Sequence, residues 1–396
     1  MSMKDLWDKL EERKRLGSLR FLKERCEGID FYSNDYLGLS RNLGFREEMV
    51  ELVRNNPEAL LGATGSRLIS GTGKMVMEVE EFIADKHGAE GALLFPSGYM
   101  ANVGLVSSLV GKHDVLICDE YIHRSVIDGW KMTNAKRLKF RHNDVGDLER
   151  VLGCLDCFVV PPRNDAGRGR DDVGWGRDDA GRVRDGEGGR KIFIAVESLY
   201  SMEGDFAPIK EIVELAEKYQ AHVLLDEAHA FAVFGWGLAH QLRLQDRIFA
   251  ITVTYGKAMG LHGASILGSK NLISHLINFA SPFIYSTAQP EFHALSIRMG
   301  YDFIANNRHL PMRLFENILL FQSLKTGPAS PIQSYFPSAA ADLQHIQSKL
   351  SEHGILTYPI FPPTVPKGKE RIRICLHADH QESEIRLLQQ LLTEMI

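Results

Sequence analysis

Two short segments, HVLLDEAHA at residues 222–230 and ITVTYGK at residues 251–257, determine the fold class of this chain. The first is an apolar run that ends in Asp226, and the second is a β-rich run that leads to Lys257 among small residues. A short apolar run that ends in a carboxylate is typical of a buried parallel strand with a charge at its C-terminal end. Because ligands of open α/β sheets bind outside those strand ends, Asp226 and Lys257 are predicted to meet there.

These two side chains match the chemical needs of pyridoxal phosphate (PLP). Its aldehyde bonds to a lysine amine, and its pyridine nitrogen pairs with a carboxylate that keeps the ring protonated and able to accept electrons. Lys257 and Asp226 are the candidates for these roles, and His229 could reach the ring hydroxyl or a substrate carbonyl. A lone Asp-x-x-His pattern is about as often an ordinary helix cap. The TYGK run at residues 254–257 favours the cofactor site over that alternative.

A family resemblance rests on these same motifs. DEAHA at residues 226–230, followed by TYGKAMGLHGA at residues 254–264, resembles the α-oxoamine synthases, PLP-dependent enzymes of the aspartate-aminotransferase fold, fold type I. The resemblance covers almost the whole chain and implies an α/β protein with a mostly parallel sheet and a smaller C-terminal α+β domain. We therefore expect an N-terminal helical arm at residues 1–35, a large PLP-binding domain at 36–288 and a small domain at 289–396. The resemblance also implies a homodimer with its active site at the interface.

The resemblance assigns cofactor contacts beyond the lysine and the aspartate. Gly98 and Tyr99 follow a strand and a Pro-Ser turn, and they match positions whose backbone touches the cofactor phosphate. A helix N-terminus with free N–H groups suits that ligand. His123 matches a histidine that stacks on the pyridine ring, and Ser201 and Thr254 match further cofactor contacts. The catalytic residues implied by the family are Lys257, His229, Asp226 and His123.

The implied substrate contacts are Arg20, Asn34, His123, Thr364 and Arg371. Arg371 and Arg373 alternate along a predicted strand, so only one of them can enter the site. An arginine there would hold an amino-acid carboxylate through two parallel hydrogen bonds. Where the family has an arginine before Pro-Pro, this chain has Phe361. Carboxylate recognition must therefore fall to Arg20, Arg371 or Arg373.

The activity implied by the resemblance is a decarboxylative condensation of an amino acid with an acyl-CoA. The PPTVP and FIYSTA segments, at residues 362–366 and 283–288, favour L-alanine and pimeloyl-CoA. A related enzyme that uses glycine or serine with another acyl-CoA would share every cofactor residue. An aminotransferase is a second alternative. A catalytically inactive homologue is a third, and the presence of all four implied catalytic residues disfavours it.

Composition narrows the classes of partner. The net charge of −5 gives no reason to expect nucleic acid or an anionic membrane as a partner, and no apolar run reaches the ~18 residues of a membrane span. Five cysteines in 396 residues favour a reducing compartment, and we expect a cytoplasmic protein. Cys154 and Cys157 form one C-x-x-C, which we interpret as buried small residues because a zinc site needs more ligands. No metal is expected.

One segment interrupts the family pattern. Residues 163–190 are rich in arginine, acidic residues and glycine, with GRDD and DAGR each occurring twice. Such a segment cannot bury enough apolar area to offset its ordering entropy. We predict a disordered surface insertion between two core strands, at residues 158–160 and 192–198.

Overall fold

The computed structural model describes residues 3–15, 19–20, 22, 24, 27–156, 190–323, 327–337, 342–362 and 364–394. The predicted insertion, apart from residue 190, and the strand predicted at 158–160 lie outside the described residues. The chain divides into two compact units. Unit 1 comprises residues 1–33, 202–204 and 313–396, and unit 2 comprises residues 34–201 and 205–312.

The helices of the described residues are α1 (Met3–Arg15), α2 (Leu43–Asn55), α3 (Lys74–His87), α4 (Gly98–Leu109), α5 (Arg124–Lys131), α6 (Val145–Asp156), α7 (Ile209–Lys218), α8 (Leu238–Gln241), α9 (Lys270–Phe279), α10 (Ser281–Ile284), α11 (Glu291–Asn306), α12 (His309–Gln322), α13 (Leu343–Glu352) and α14 (Glu382–Glu394). The strands are β1 (Ile29–Asp30), β2 (Gly91–Phe95), β3 (Val115–Asp119), β4 (Lys136–Phe140), β5 (Ile192–Glu197), β6 (His222–Asp226), β7 (Ala250–Thr254), β8 (Ala264–Gly268), β9 (Ile332–Tyr335), β10 (Ile355–Leu356), β11 (Tyr358–Ile360) and β12 (Arg371–Cys375). No helix in this part of the chain is long and apolar enough to cross a membrane.

Unit 2 is built on a seven-stranded sheet of order β2-β8-β7-β6-β5-β3-β4. In the sheet, the neighbouring strands β7, β6, β5, β3 and β4 pair in parallel. Strand β8 runs antiparallel to both of its neighbours, β2 and β7. Every residue of β3 and of β7 is buried, although successive side chains point to opposite faces, so both faces of the sheet are covered. The α/β prediction with a mostly parallel sheet is confirmed.

The sheet order reverses at β3, which has β4 on one side and β5 on the other. A reversal of this kind opens a crevice at the carboxyl ends of the strands, where ligands of such sheets bind. The register places Glu197 at the end of β5 opposite Asp226 at the end of β6, and Asp226 opposite Thr252. Several strands therefore deliver polar side chains to one edge.

The C-terminal part of unit 2 extends beyond the predicted domain boundary at residue 288. Helix α11 packs against α3, where Tyr301 lies edge-on to Phe82 with 5.7 Å between ring centroids. The Tyr301 hydroxyl is also 2.8 Å from Nε2 of buried His87. These contacts bury the apolar face of α11 within unit 2, which runs to residue 312.

Unit 1 contains a three-stranded antiparallel sheet of order β11-β12-β9. Among the described residues of the N-terminal segment, Met3–Arg15 is helical, and Ile29–Asp30 forms a strand that pairs in parallel with β10. The segment expected to be a helical arm, residues 1–35, therefore contains both a helix and a short strand within its described part. The prediction that Cys154 is buried was wrong, since this thiol is exposed on α6 in unit 2.

Candidate active site

A cavity of about 260 Å³ lies within unit 2 and is lined by residues from the carboxyl edge of the sheet. The predicted site residues that line it are Asn34, Gly98, Tyr99, His123, Asp226, His229, Thr254 and Lys257. The structure thus brings together predicted residues from five separate stretches of sequence. Each stretch follows or precedes a buried strand or helix, which fixes its position.

Asp226 is held as a hydrogen-bond acceptor at the end of β6. Its Oδ2 accepts a hydrogen bond from Asn102 Nδ2 at 2.7 Å, and its Oδ1 accepts one from the backbone N–H of Ala228 at 2.9 Å. The residue is only 7% exposed. Two donors fix the orientation of this buried carboxyl at the cavity wall, where it is placed to pair with a ring nitrogen.

His123 caps helix α5 from the cavity wall. Its Nδ1 accepts a hydrogen bond from the backbone N–H of Ser125 at 3.3 Å and lies 2.8 Å from the Ser125 hydroxyl. Burial lowers the pKa of His123, against the opposing effect of nearby Asp226. The imidazole is therefore neutral at pH 7 and presents a flat, uncharged ring to the cavity.

The start of α4 supplies an anion-binding backbone. Ser97 is the N-cap and its hydroxyl oxygen accepts a hydrogen bond from the N–H of Met100 at 3.3 Å. A Cβ added at Gly98 would lie 2.4 Å from Cγ2 of Thr254, so glycine is required for this close approach. The free N–H groups of a first helical turn suit a phosphate. Together with Asp226 and Lys257, this cradle fits PLP.

His229 is oriented by residues of the N-terminal part of unit 2. Its Nδ1 lies 2.7 Å from the hydroxyl of Tyr36, which is fully buried. The Tyr36 hydroxyl in turn donates to Oδ1 of Asn34 at 3.1 Å. A single tyrosine hydroxyl therefore links two of the predicted site residues and fixes the His229 ring.

Four predicted contacts do not line this cavity. Ser201, in unit 2, donates its backbone N–H to the carboxyl of Glu197. The other three are in unit 1, where Arg20 is exposed and its Nη2 lies 3.5 Å from Oγ1 of Thr364. Arg371 is 4% exposed and its Nη1 lies 3.1 Å from Oε1 of Glu203.

Sequence reasoning missed several residues at or next to the cavity, among them Asn102, Glu197 and Tyr36. Asn102 follows Gly98 by four residues on α4, a spacing that places both on one helix face, so helical periodicity could have indicated it. Glu197 ends the apolar run IFIAVE in the way that Asp226 ends HVLLD, so the same pattern applied twice would have found it. Tyr36 carries no comparable signal.

His142, which is not among the residues lining the cavity, lies between two carboxylates. Its Nδ1 donates to Oδ1 of fully buried Asp119 at 2.9 Å, and its Nε2 donates to Oδ2 of Asp205 at 2.9 Å. Burial alone would lower the pKa of His142, but the hydrogen bonds and charges of the two aspartates outweigh it and raise the pKa to about 10. The imidazolium is therefore the stable form at neutral pH.

This bridge predicts a loss of stability at alkaline pH. The folded pKa of His142 is about 10 and its unfolded value is about 6.5, so its stabilisation is complete below pH 6.5 and disappears as pH rises through 10. We expect the free energy of unfolding in urea to fall by on the order of 3 kcal/mol from this group between those limits. His142→Gln should remove most of that pH dependence, whereas His309→Gln, at an exposed position, should keep it. An equal slope in the His142 variant would contradict this account.

The sequence profile of the family Aminotransferase class I and II matches residues 27–391. The 8-amino-7-oxononanoate synthase of Emericella nidulans is 35% identical over 379 residues, which cover 90% of this chain and 86% of that relative. This chain belongs to the α-oxoamine synthases, within that family. It is accordingly a PLP-dependent acyltransferase, and PLP is the cofactor that the site accommodates.

Two solved structures share the fold of this α-oxoamine synthase. A serine palmitoyltransferase from S. paucimobilis, solved with bound PLP and myriocin, superposes with a TM-score of 0.81 at 23% identity, covering 99% of this chain and 96% of that one. The 8-amino-7-oxononanoate synthase of Francisella tularensis gives a TM-score of 0.71 at 24% identity, covering 93% of this chain and 97% of that one. The prediction of a fold type I PLP enzyme is confirmed.

Proposed function

We propose that this α-oxoamine synthase condenses L-alanine with pimeloyl-CoA to give 8-amino-7-oxononanoate, CoA and CO2, a step of biotin biosynthesis. The observation that carries the proposal is the meeting of Lys257, Asp226, His123 and His229 around one cavity. The choice of substrates is supported by the 35% identity to the Emericella nidulans enzyme over nine-tenths of the chain. We also propose a homodimer, on the family resemblance alone.

The residues of this chain divide the reaction between them. When bound, PLP supplies an electron sink for the carbanion at the amino acid Cα. The amine of Lys257 removes the Cα proton and later returns one. Asp226, fixed by Asn102 and Ala228, keeps the ring nitrogen protonated. His229, fixed by Tyr36 at Nδ1, can donate a hydrogen bond to a ketone oxygen when both of its ring nitrogens are protonated, and so assist loss of CO2.

Arg371 and Arg20, two of the proposed substrate contacts in unit 1, differ in how many hydrogen bonds their guanidinium groups already make within the protein. Arg371 is buried and donates to the backbone oxygens of Met202 and Lys369 as well as to Glu203. Arg20 is exposed, and its contact with Thr364 is long at 3.5 Å. A guanidinium held by three partners gains less from a new carboxylate than one that is exposed. We therefore propose Arg20, with Thr364 beside it, for the pimeloyl carboxylate.

A second candidate function is the use of glycine or serine with an uncharged acyl-CoA. Phe361 stands where the family resemblance expects an arginine, which removes one positive charge from the proposed substrate contacts. An apolar side chain at this position favours an apolar acyl chain over one that ends in a carboxylate.

Substrate preference separates the two candidates. We expect kcat/KM with L-alanine to be higher for pimeloyl-CoA than for heptanoyl-CoA, which has the same number of carbons and no carboxylate. Arg20 is exposed in the free protein, and a charge-assisted pair that is desolvated when the acyl-CoA binds contributes about 2–5 kcal/mol, so the preference should be roughly 30- to several-thousand-fold. Arg20→Gln should reduce the pimeloyl-CoA value and leave the heptanoyl-CoA value unchanged. Released CoA and CO2 provide the assay.

Arg15→Gln is the matched control, because Arg15 is exposed near the end of α1 in the same unit. Equal use of the two acyl-CoAs, or a preference for glycine or serine over L-alanine, would assign the enzyme to the second candidate. Phe361→Arg should then increase the use of pimeloyl-CoA.

A further inference from the structure

Glu197 is a buried carboxyl at the wall of the cavity with an unused oxygen atom. It ends β5, is 2% exposed and lies opposite Asp226 in the strand register. Its Oε1 has no hydrogen-bond partner within the described part of the chain. The backbone N–H of Ser201 donates to the same carboxyl group. Glu197 is also among the residues that line the cavity.

The surroundings of Glu197 determine which of the two adjacent carboxyls carries a proton. Asp226 accepts two hydrogen bonds from fixed donors, whereas Glu197 is almost fully buried and its Oε1 has no hydrogen-bond partner within the described residues. Two neighbouring carboxyls in a dry site do not both ionise readily, and the less stabilised one keeps its proton. Burial, with Asp226 and Asp119, raises the pKa of Glu197 well above its ordinary value, and Lys257 only partly opposes this. Among the described residues, the titratable groups around Glu197 and the cavity are Tyr99, Asp119, His123, Tyr200, Asp226, His229, Lys257 and His262.

Glu227, a buried acid that is not among the residues lining the cavity, differs from Glu197 in its hydrogen bonds. Glu227 is fully buried, and its oxygens accept hydrogen bonds from the N–H groups of Leu238 and Ala239 at 2.9 and 2.7 Å and from the Ser198 hydroxyl at 3.0 Å. These donors account for a structural role. Glu197 Oε1 has no such set of donors, which leaves it available to a ligand.

We propose that Glu197 acts as a neutral carboxylic acid that donates a hydrogen bond to an anionic oxygen of a ligand bound in the cavity. This inference rests on the proposed function, because it requires that PLP and an amino acid bind there. Two ligand groups carry the required chemistry: the carboxylate of the amino acid and the ring oxygen of the cofactor. An ionised Glu197 would repel either group, so binding should weaken when this acid loses its proton.

The test compares wild-type holoenzyme with Glu197→Gln and Glu197→Ala. The dissociation constant of L-alanine is measured from the absorbance of bound cofactor between pH 5 and 10, without acyl-CoA. Glutamine keeps an N–H donor and cannot ionise. The affinity of the Glu197→Gln variant for L-alanine at low pH should therefore match that of the wild type within about threefold. At high pH, the wild type should bind L-alanine about 10- to 100-fold more weakly than the Glu197→Gln variant does. Glu197→Ala should bind more weakly than Glu197→Gln by a similar factor throughout, as expected for a lost charge-assisted hydrogen bond.

The ratio of wild type to Glu197→Gln cancels the titration of the amino acid itself. Ethylamine lacks the carboxylate and shows which ligand group Glu197 contacts. If the ratio changes with pH for L-alanine but not for ethylamine, Glu197 binds the substrate carboxylate. A pH-dependent difference in cofactor absorbance before any amine is added assigns it to the ring oxygen. Glu227→Gln should retain the wild-type pH dependence, with its thermal midpoint recorded to monitor folding.

A ratio that stays constant with pH, or a Glu197→Gln variant that binds as weakly as Glu197→Ala at every pH, would overturn the proposal. These outcomes are separable from failure of the proposed function. If L-alanine leaves the wild-type spectrum unchanged, the amino-acid assignment is wrong, and the same comparison is made with glycine and serine.

Discussion

Replacing Lys257 with alanine is expected to reduce condensation by at least a factor on the order of 10²–10⁴, the range for loss of a positioned proton-transfer group. The effect should be larger still, because we propose that the same amine also bonds the cofactor covalently. Lys257 is half-buried in the cavity, close enough to Glu197 and His123 to influence their ionisation. Loss of this amine should also change the visible absorbance of the bound cofactor.

The measurement is the rate of CoA release with L-alanine and pimeloyl-CoA, together with an absorbance spectrum of the purified variant. Lys270→Ala is the matched control, because Lys270 is exposed at the start of α9 in the same unit. A Lys257→Ala enzyme that kept more than a tenth of wild-type activity would show that another group performs the proton transfer.

The Asp226→Asn variant should show the second-largest effect. Asparagine keeps the shape of the side chain but cannot carry the negative charge that holds a proton on the ring nitrogen. Breaking a buried ion pair by removing one partner costs about 3–5 kcal/mol, which corresponds to roughly a 100- to 4,000-fold loss in kcat/KM or in cofactor affinity. The backbone N–H of Ala228 and the amide of Asn102 would also face a poorer acceptor.

Cofactor affinity is measured by reconstituting the apoenzyme, and kcat/KM is measured at saturating PLP. Asp246→Asn, at an exposed position of unit 2, is the control for a lost negative charge. If Asp226→Asn bound PLP normally and retained its kcat/KM, the ring nitrogen would have to pair with a different residue.

The sequence predicted those parts of the site that local patterns determine. An apolar run that ends in a charge predicted the end of β6 and the position of Asp226, and the Pro-Ser-Gly turn predicted the start of α4 at Gly98. Both depend on neighbours within a few residues. The partners of these residues could not be predicted in that way. Asn102 reaches Asp226 across 124 residues of sequence, and Tyr36 reaches His229 across 193.

Element boundaries were predicted less well, for a related reason. Ile29–Asp30 falls within the expected helical arm, but it pairs in parallel with β10. Helix α11 follows the predicted domain boundary, yet the aromatic contacts of Tyr301 place it in unit 2. In both cases a distant partner determines the outcome, and the sequence does not identify that partner.

Reduction of the holoenzyme with borohydride tests the central assignment most directly, because it converts the bond between the lysine amine and the cofactor aldehyde into a stable one. Peptide mapping by mass spectrometry then locates the attached cofactor. We predict that it is found on the peptide containing Lys257 and that Lys257→Ala enzyme carries none. Attachment to any other lysine of the wild-type chain, or no attachment at all, would contradict the account.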